Sequence, residues 1–299
     1  MILFKRAGDL SSWLQEQRTK GKTIGFVPTM GALHTGHISL IDISKTVTGC
    51  TVCSIFVNPT QFNDPKDFQK YPITIEKDIY LLEKEGTDAL FLPDVEEVYP
   101  GGTANLEKYE LGRLETLLEG KYRPGHFQGV CQIMRRLLDI VAPDDLFMGQ
   151  KDYQQCMVVQ RLLELMKSAM RLHPCPIVRE VDGLAMSSRN MRLTEAQRAQ
   201  APAIYRVLSM MREERGGHTD EAILSRARAI LAEEGFRIDY VEIADAVTLE
   251  PIGVDVTGGG SRNVGGNEAQ RGAGRGHNAV ALIAAFLGEI RLIDNMLLP

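Results

Sequence analysis

Apolar and polar positions along the first 190 residues change period repeatedly, from short apolar runs to a helical repeat and back. Thr23 to Val27 reads as a buried strand that Pro28 closes, and Ile38 to Thr46 as a helix. Cys50 to Val57 is a second strand, and Thr74 to Glu85 a helix with Thr74 as its cap. Asp88 to Leu92 forms a third strand closed by Pro93, and Phe127 to Val141 has helical period. Asp145 to Met148 is a fourth strand, Tyr153 to Met170 a helix, and Cys175 to Val178 a fifth strand.

Strands that alternate with helices pair in parallel, so residues 1–190 are expected to form an α/β domain built on a Rossmann-like, doubly wound parallel sheet. Ligands of such sheets lie beyond the carboxyl ends of the strands. The unusual sequence collects at those ends, in Pro28 to His37, Asn58 to Phe62, Gly149 to Gln155 and Val178 to Asn190. One shared site is therefore expected. After Leu193 the pattern changes: Thr194 to Arg215 and Thr219 to Glu234 look helical, whereas Ile238 to Ile243, Ala279 to Phe286 and Ile290 to Ile293 look like strands. Residues 191–299 are expected to form a smaller α+β lid domain. Its Gly-rich stretch, Thr257 to Gly276 with Arg262, Arg271 and Arg275, reads as a flexible hairpin loop or lid tip.

Composition narrows the class. Hydrophobic content of 44% and charged content of 24% are those of an ordinary globular chain. A net charge of −5 argues against a nucleic-acid partner, although one local basic pocket suffices for a small anion. No apolar run is long enough to span a membrane, and the first residues lack the pattern of a secretory signal, so a cytoplasmic location is expected. Five cysteines, an odd number, do not suggest a disulfide framework. Cys50 and Cys53 have the spacing of a redox or zinc pair. They fall in a β-branched run, however, where residues three apart face opposite ways, so packing is the expected role.

Pro28 to His37 bridges a strand and a helix. Gly31 and Gly36 allow tight turns, and the helix start turns unpaired N–H groups and a positive dipole end toward a bound phosphate. His34 and His37, three apart, share one face of the first turn. They suit nucleotide binding, with packing or part of a metal site as alternatives. Gly149, Gln150, Lys151 and Asp152 occupy a second strand-to-helix junction, where Lys151 suits a phosphate. A third string, Met186, Ser187, Ser188 and Arg189, offers two hydroxyls and a guanidinium able to clamp a triphosphate.

Together these strings resemble the adenylyl-transferring superfamily that includes nucleotidyltransferases and class I aminoacyl-tRNA synthetases. Val27 to His34, Ser54 to Phe62, Arg123 to Phe127, Lys151 to Gln155, Asp182 to Asn190 and Arg291 to Asn295 are similar, in order, to the pantothenate synthetase (pantoate–β-alanine ligase) family. The resemblance implies a two-step reaction with ATP and Mg²⁺: pantoate is adenylated with release of pyrophosphate, and β-alanine then displaces AMP. It implies that Met30, Gly31, Ala32, Leu33, His34, Thr35, Gly36, His37, Gly149, Gln150, Lys151, Asp152, Val178, Met186, Ser187, Ser188 and Arg189 surround ATP. His37, His34 and Lys151 are the implied catalytic groups. Gln61 and Gln155 are the implied pantoate and β-alanine contacts, with Asn58, Arg123 and His126 around the same pocket. Asp78 is the implied metal ligand, although a solvated helix face also fits that residue. A homodimer without nucleic-acid or membrane partners is implied as well. Gln150, where many relatives are acidic, Ile73, where a basic residue is common, and the long Gly-rich stretch depart from the family pattern. The alternative is another nucleotidyltransferase of the superfamily, which would have no use for Gln61 and Gln155 in holding a hydroxy acid.

Overall fold

The computed structural model describes residues 1–63, 65–252 and 279–299. It contains nine described strands: β1 (Ile2–Phe4), β2 (Ile24–Thr29), β3 (Cys50–Ile55), β4 (Ala89–Phe91), β5 (Asp145–Gly149), β6 (Arg171–Cys175), β7 (Arg237–Asp245), β8 (Ala279–Leu287) and β9 (Ile290–Leu298). Helices α1 (Ala7–Thr19), α2 (Thr35–Val47), α3 (Pro65–Gln69), α4 (Ile75–Lys84), α5 (Val95–Val98), α6 (Leu118–Tyr122), α7 (His126–Val141) and α8 (Tyr153–Leu165) belong with the first six strands. Helix α9 (Glu195–Gln200) precedes α10 (Ala203–Glu214) and α11 (Asp220–Glu233). Two compact units result, Met1–Ala199 and Gln200–Pro299.

The first unit is a six-stranded parallel sheet in the order β1-β4-β3-β2-β5-β6. From β2 the chain winds outward through β3 and β4, then crosses to β5 and β6 on the other side. The switch point therefore lies between β2 and β5. Helices cover both faces. One core joins Leu10 and Leu14 of α1 to Phe26, Val52 and Phe91 of the sheet and to Leu138 and Val159 of α7 and α8. The other joins Leu40 and Ile41 of α2 and Leu82 of α4 to Val27, Cys53 and Leu90. Cys50 belongs to the first core and Cys53 to the second, so the pair points to opposite faces of β3. Burial pushes their thiols up, to about 11 and about 12, which fits packing.

Four local readings change. Pro28 does not close β2: the ladder to β3 runs on to Thr29 opposite Ile55, while pairing with β5 stops at Phe26 opposite Leu146. The two strands part there, which opens the crevice. The helix after Tyr153 ends at Leu165, and the fifth predicted strand is displaced: β6 covers Arg171–Cys175, sharing only Cys175 with the expected run. Only Cys175 of this edge strand is fully buried, so its polar residues hide it from an apolar pattern, and an edge tolerates Pro174. The predicted helix from Thr194 to Arg215 is broken at Ala201 and Pro202, since proline cannot continue the hydrogen-bonded turn. Strand β1 and helix α1 add to the elements that the sequence pattern predicts.

The second unit is an antiparallel sheet, β7-β8-β9, with α10 and α11 packed on it through residues such as Val207, Leu208, Ile223 and Leu231. This is the α+β architecture expected for the C-terminal part. The Gly-rich stretch Thr257 to Gly276 lies outside the described residues. Among the described residues, no helix is long and apolar enough to cross a membrane.

Candidate active site

A cleft opens where β2 and β5 part, within the first unit. It is lined by His34, Gly36, His37, Gly149, Lys151, Asp152, Val178, Met186, Ser187, Ser188 and Arg189. Met30, Gln61 and Gln155 line it as well, beside an apolar surface of Phe56, Val130 and Met134. Side chains more than 150 residues apart in the chain thus converge, as His34 and Arg189 do.

The turn after β2 is held from behind. Gly31 has φ +80° and Ala32 φ +48°, a left-handed conformation uncommon for alanine. Asp78 in α4 fixes it: Oδ2 accepts the Ala32 N–H at 2.9 Å and Oδ1 accepts the Leu33 N–H at 2.9 Å. Thr74 donates its hydroxyl to Oδ1 at 3.0 Å, so its side chain serves Asp78 instead of capping the helix backbone. Asp78 is only 2% exposed, which corrects the reading of a solvated helix face. Gly31, Ala32 and Leu33 accordingly lie behind the wall and do not line it, and neither do Thr35 and Gln150. Thr35 touches the Met186 sulfur, and Ser188 donates to the Ala32 carbonyl at 3.0 Å, so the Met30–His37 and Met186–Arg189 strings brace each other.

The helix begins three residues earlier than the pattern indicates, with His34 as its cap. His34 Nδ1 accepts the Gly36 N–H at 3.1 Å, and His37 Nδ1 accepts the His34 N–H at 3.3 Å. Each Nδ1 is an acceptor, so each neutral imidazole carries its proton on Nε2. The rings lie 4.1 Å apart. Burial, aided by nearby Lys151, lowers His34 to about 4; burial, then His34 and Lys151, lowers His37 to about 3. At neutral pH both are uncharged N–H donors.

Asn58, Arg123 and His126 do not line the cleft. They support Gln61, which does. Asn58, buried at 1% exposure, donates to Gln61 Oε1 at 3.2 Å and to the Gly129 carbonyl at 3.1 Å, and accepts from the Tyr99 hydroxyl at 2.9 Å. His126 Nδ1 donates to the Gln61 carbonyl at 2.8 Å, which leaves Nε2 to accept from Arg123 at 3.0 Å. Burial, and then Arg123, lowers His126 to about 3. Gly129 makes this packing possible: a Cβ there would sit 2.3 Å from the Thr60 carbonyl oxygen. The amide of Gln61 reaches the Met30 sulfur at 3.0 Å.

Among the described residues, no group of three or more His, Cys, Asp or Glu could hold a metal ion. Within that same set, Asp152 is the one carboxylate on the cleft wall. That donor set suits Mg²⁺ brought in on a triphosphate, because this ion takes one or two carboxylates with phosphate oxygens and waters.

Comparison with known proteins agrees with the geometry. The pantoate–β-alanine ligase family model matches residues 2–297. A pantothenate synthetase of Porphyromonas gingivalis is 41% identical over 99% of both chains. The crystal structure of the pantothenate synthetase of Thermus thermophilus superposes with a TM-score of 0.87 at 37% identity, covering 100% of both chains. A pantoate–β-alanine ligase of Francisella tularensis, solved with β-γ ATP and β-alanine, gives 0.77 at 33% identity over 99% of this chain and 97% of that one. The chain belongs to the pantoate–β-alanine ligase family.

Two outcomes are expected from the site. Replacing Asp78 by Ala should lower stability by about 3 kcal/mol, because buried backbone donors lose a charged acceptor. Urea unfolding measures this, and Asp78→Asn, which keeps one acceptor oxygen, should lose less. The second concerns pH. His34, His37 and His126 hold their protons less tightly folded than unfolded, so the unfolded chain binds more protons between about 6.5 and about 3. Their contribution to stability is full above that window and falls as pH is lowered through it. Denaturant midpoints measured from pH 7 to pH 5 should decline, and less steeply in His126→Asn.

Proposed function

From this family membership we propose that the chain condenses (R)-pantoate with β-alanine, using ATP, to form pantothenate. In the first step a pantoate carboxylate oxygen attacks the α-phosphorus, giving pantoyl adenylate and pyrophosphate. In the second, the β-alanine amine attacks the acyl carbon and AMP leaves. The observation that carries this reading is that His34, His37, Lys151 and Arg189 line the same cleft as Gln61 and Gln155. Coverage of residues 2–297 by the ligase family favours this reaction over another nucleotidyl transfer.

The work asked of the protein is positioning and charge stabilisation. The neutral His37 and His34 donate Nε2–H to phosphate oxygens as negative charge shifts toward the departing pyrophosphate. Such a donor pair needs no proton loss, so its hydrogen bonds strengthen as the charge grows. Lys151 and Arg189 supply the fixed positive charge, and the Ser187 and Ser188 segment shapes the wall beneath. Mg²⁺ bound with the nucleotide adds charge neutralisation, and Asp152 is the protein group that fits it, since Asp78 is committed to the loop. Gln61 and Gln155 can each donate to and accept from the hydroxyls of pantoate, while Phe56, Val130 and Met134 suit its geminal methyl groups. Asn58, His126 and Arg123 hold Gln61 in place without touching substrate. Action as a homodimer in the cytoplasm belongs to the same proposal.

Incubation with Mg-ATP and pantoate, with and without β-alanine, tests the reaction. AMP turnover should require both carboxylate substrates; turnover indifferent to either contradicts it. His37→Ala should cost about 3 kcal/mol of transition-state stabilisation, roughly a hundredfold in kcat/KM. An unchanged kcat/KM for pantoate would remove His37 from the mechanism.

A further inference from the structure

Arg189 arrives at the cleft already partnered. Its NH2 group donates to Asp67 Oδ2 at 2.9 Å, and Arg192 donates through NH1 to Oδ1 of the same carboxylate at 2.7 Å. Arg189 lines the cleft whereas Asp67 and Arg192 do not, so the bridge stands behind the guanidinium. The side chains of Arg189 and Asp67 are 25% and 27% exposed, a setting in which solvent screens the pair less than at a surface. The Tyr71 ring lies 5.9 Å from the guanidinium carbon and limits its movement. Electrostatics favours the same role. Two guanidiniums and one carboxylate leave one net positive charge beside the cleft, so the bridge restrains Arg189 without cancelling its attraction for an anion. Only one of its five N–H donors is spent on Asp67. A free arginine carries roughly 2 kcal/mol of rotamer entropy that a ligand would otherwise have to suppress.

We infer that Asp67 is a positioning residue for the reaction: bridging to Arg192, it holds Arg189 so that the remaining guanidinium donors meet the nucleotide's phosphates. The inference rests on the reading of Arg189 as a phosphate contact.

Steady-state kinetics on Asp67→Asn, Arg189→Ala and the double variant, with Asp67→Glu as the conservative control, separate the two. Asp67→Asn should raise KM for ATP roughly tenfold and leave KM for β-alanine within about twofold. Asp67→Glu should recover part of the loss. In the Arg189→Ala background, Asp67→Asn should add nothing to KM for ATP, because its effect passes through a side chain no longer there. Independent, multiplicative effects would overturn the inference, as would an unchanged or lowered KM for ATP in Asp67→Asn while Arg189→Ala raises it. If Arg189→Ala itself leaves KM for ATP unchanged, the phosphate role of Arg189 fails and the inference falls with its premise.

Discussion

The cleft depends on one buried carboxylate. Asp78 reaches out of α4 to accept the N–H groups of Ala32 and Leu33, and so holds open a turn that alanine alone would adopt at a cost. That turn sets the start of α2, the cap at His34 and the tilted packing of His37 against it. Ser188 then ties a segment over 150 residues away to the Ala32 carbonyl, so the arginine-bearing wall is registered on the same support. A dry carboxylate with three donors is well satisfied, which makes it a rigid anchor.

Around this anchor the fold divides its labour by depth. Apart from the Asp152 carboxylate, the groups on the cleft wall include many donors: two neutral imidazoles, a lysine, an arginine and two glutamine amides. Behind them lie the groups that aim them. Asn58, His126 and Arg123 aim Gln61; Asp67 bridges Arg189 and Arg192; backbone N–H groups fix both histidine tautomers. Parting of β2 from β5 after Phe26 gives these two layers their opening, at the place where the strand order reverses.

The sequence makes legible what depends on local pattern. Apolar runs at Ile24 to Val27 and Cys50 to Ile55 mark strands buried on both faces, and the two histidines either side of Thr35-Gly36 do fall at a strand-to-helix junction. Edge elements are harder to read. Strand β1 has three residues and β6 has one fully buried residue, so neither carries a continuous apolar signal. At the site, the string from Met30 to His37 is recognisable as a unit, but not which members face inward. That depends on Asp78, 45 residues beyond Leu33, whose polar neighbours Glu76 and Lys77 look like a solvated helix face. The same limit applies to His126 and Asn58, whose partners lie 65 and 71 residues away. Long-range hydrogen bonds leave no periodic trace in a sequence.

Attack of the pantoate carboxylate on the α-phosphorus is the step that the whole arrangement serves. Its most direct measurement uses pantoate labelled with ¹⁸O in the carboxylate, turned over with Mg-ATP and β-alanine, followed by mass analysis of the products. One labelled oxygen should appear in AMP, because the bridging oxygen of the adenylate leaves with the phosphoryl group. AMP free of label, with the label instead in pyrophosphate or inorganic phosphate, would contradict that step.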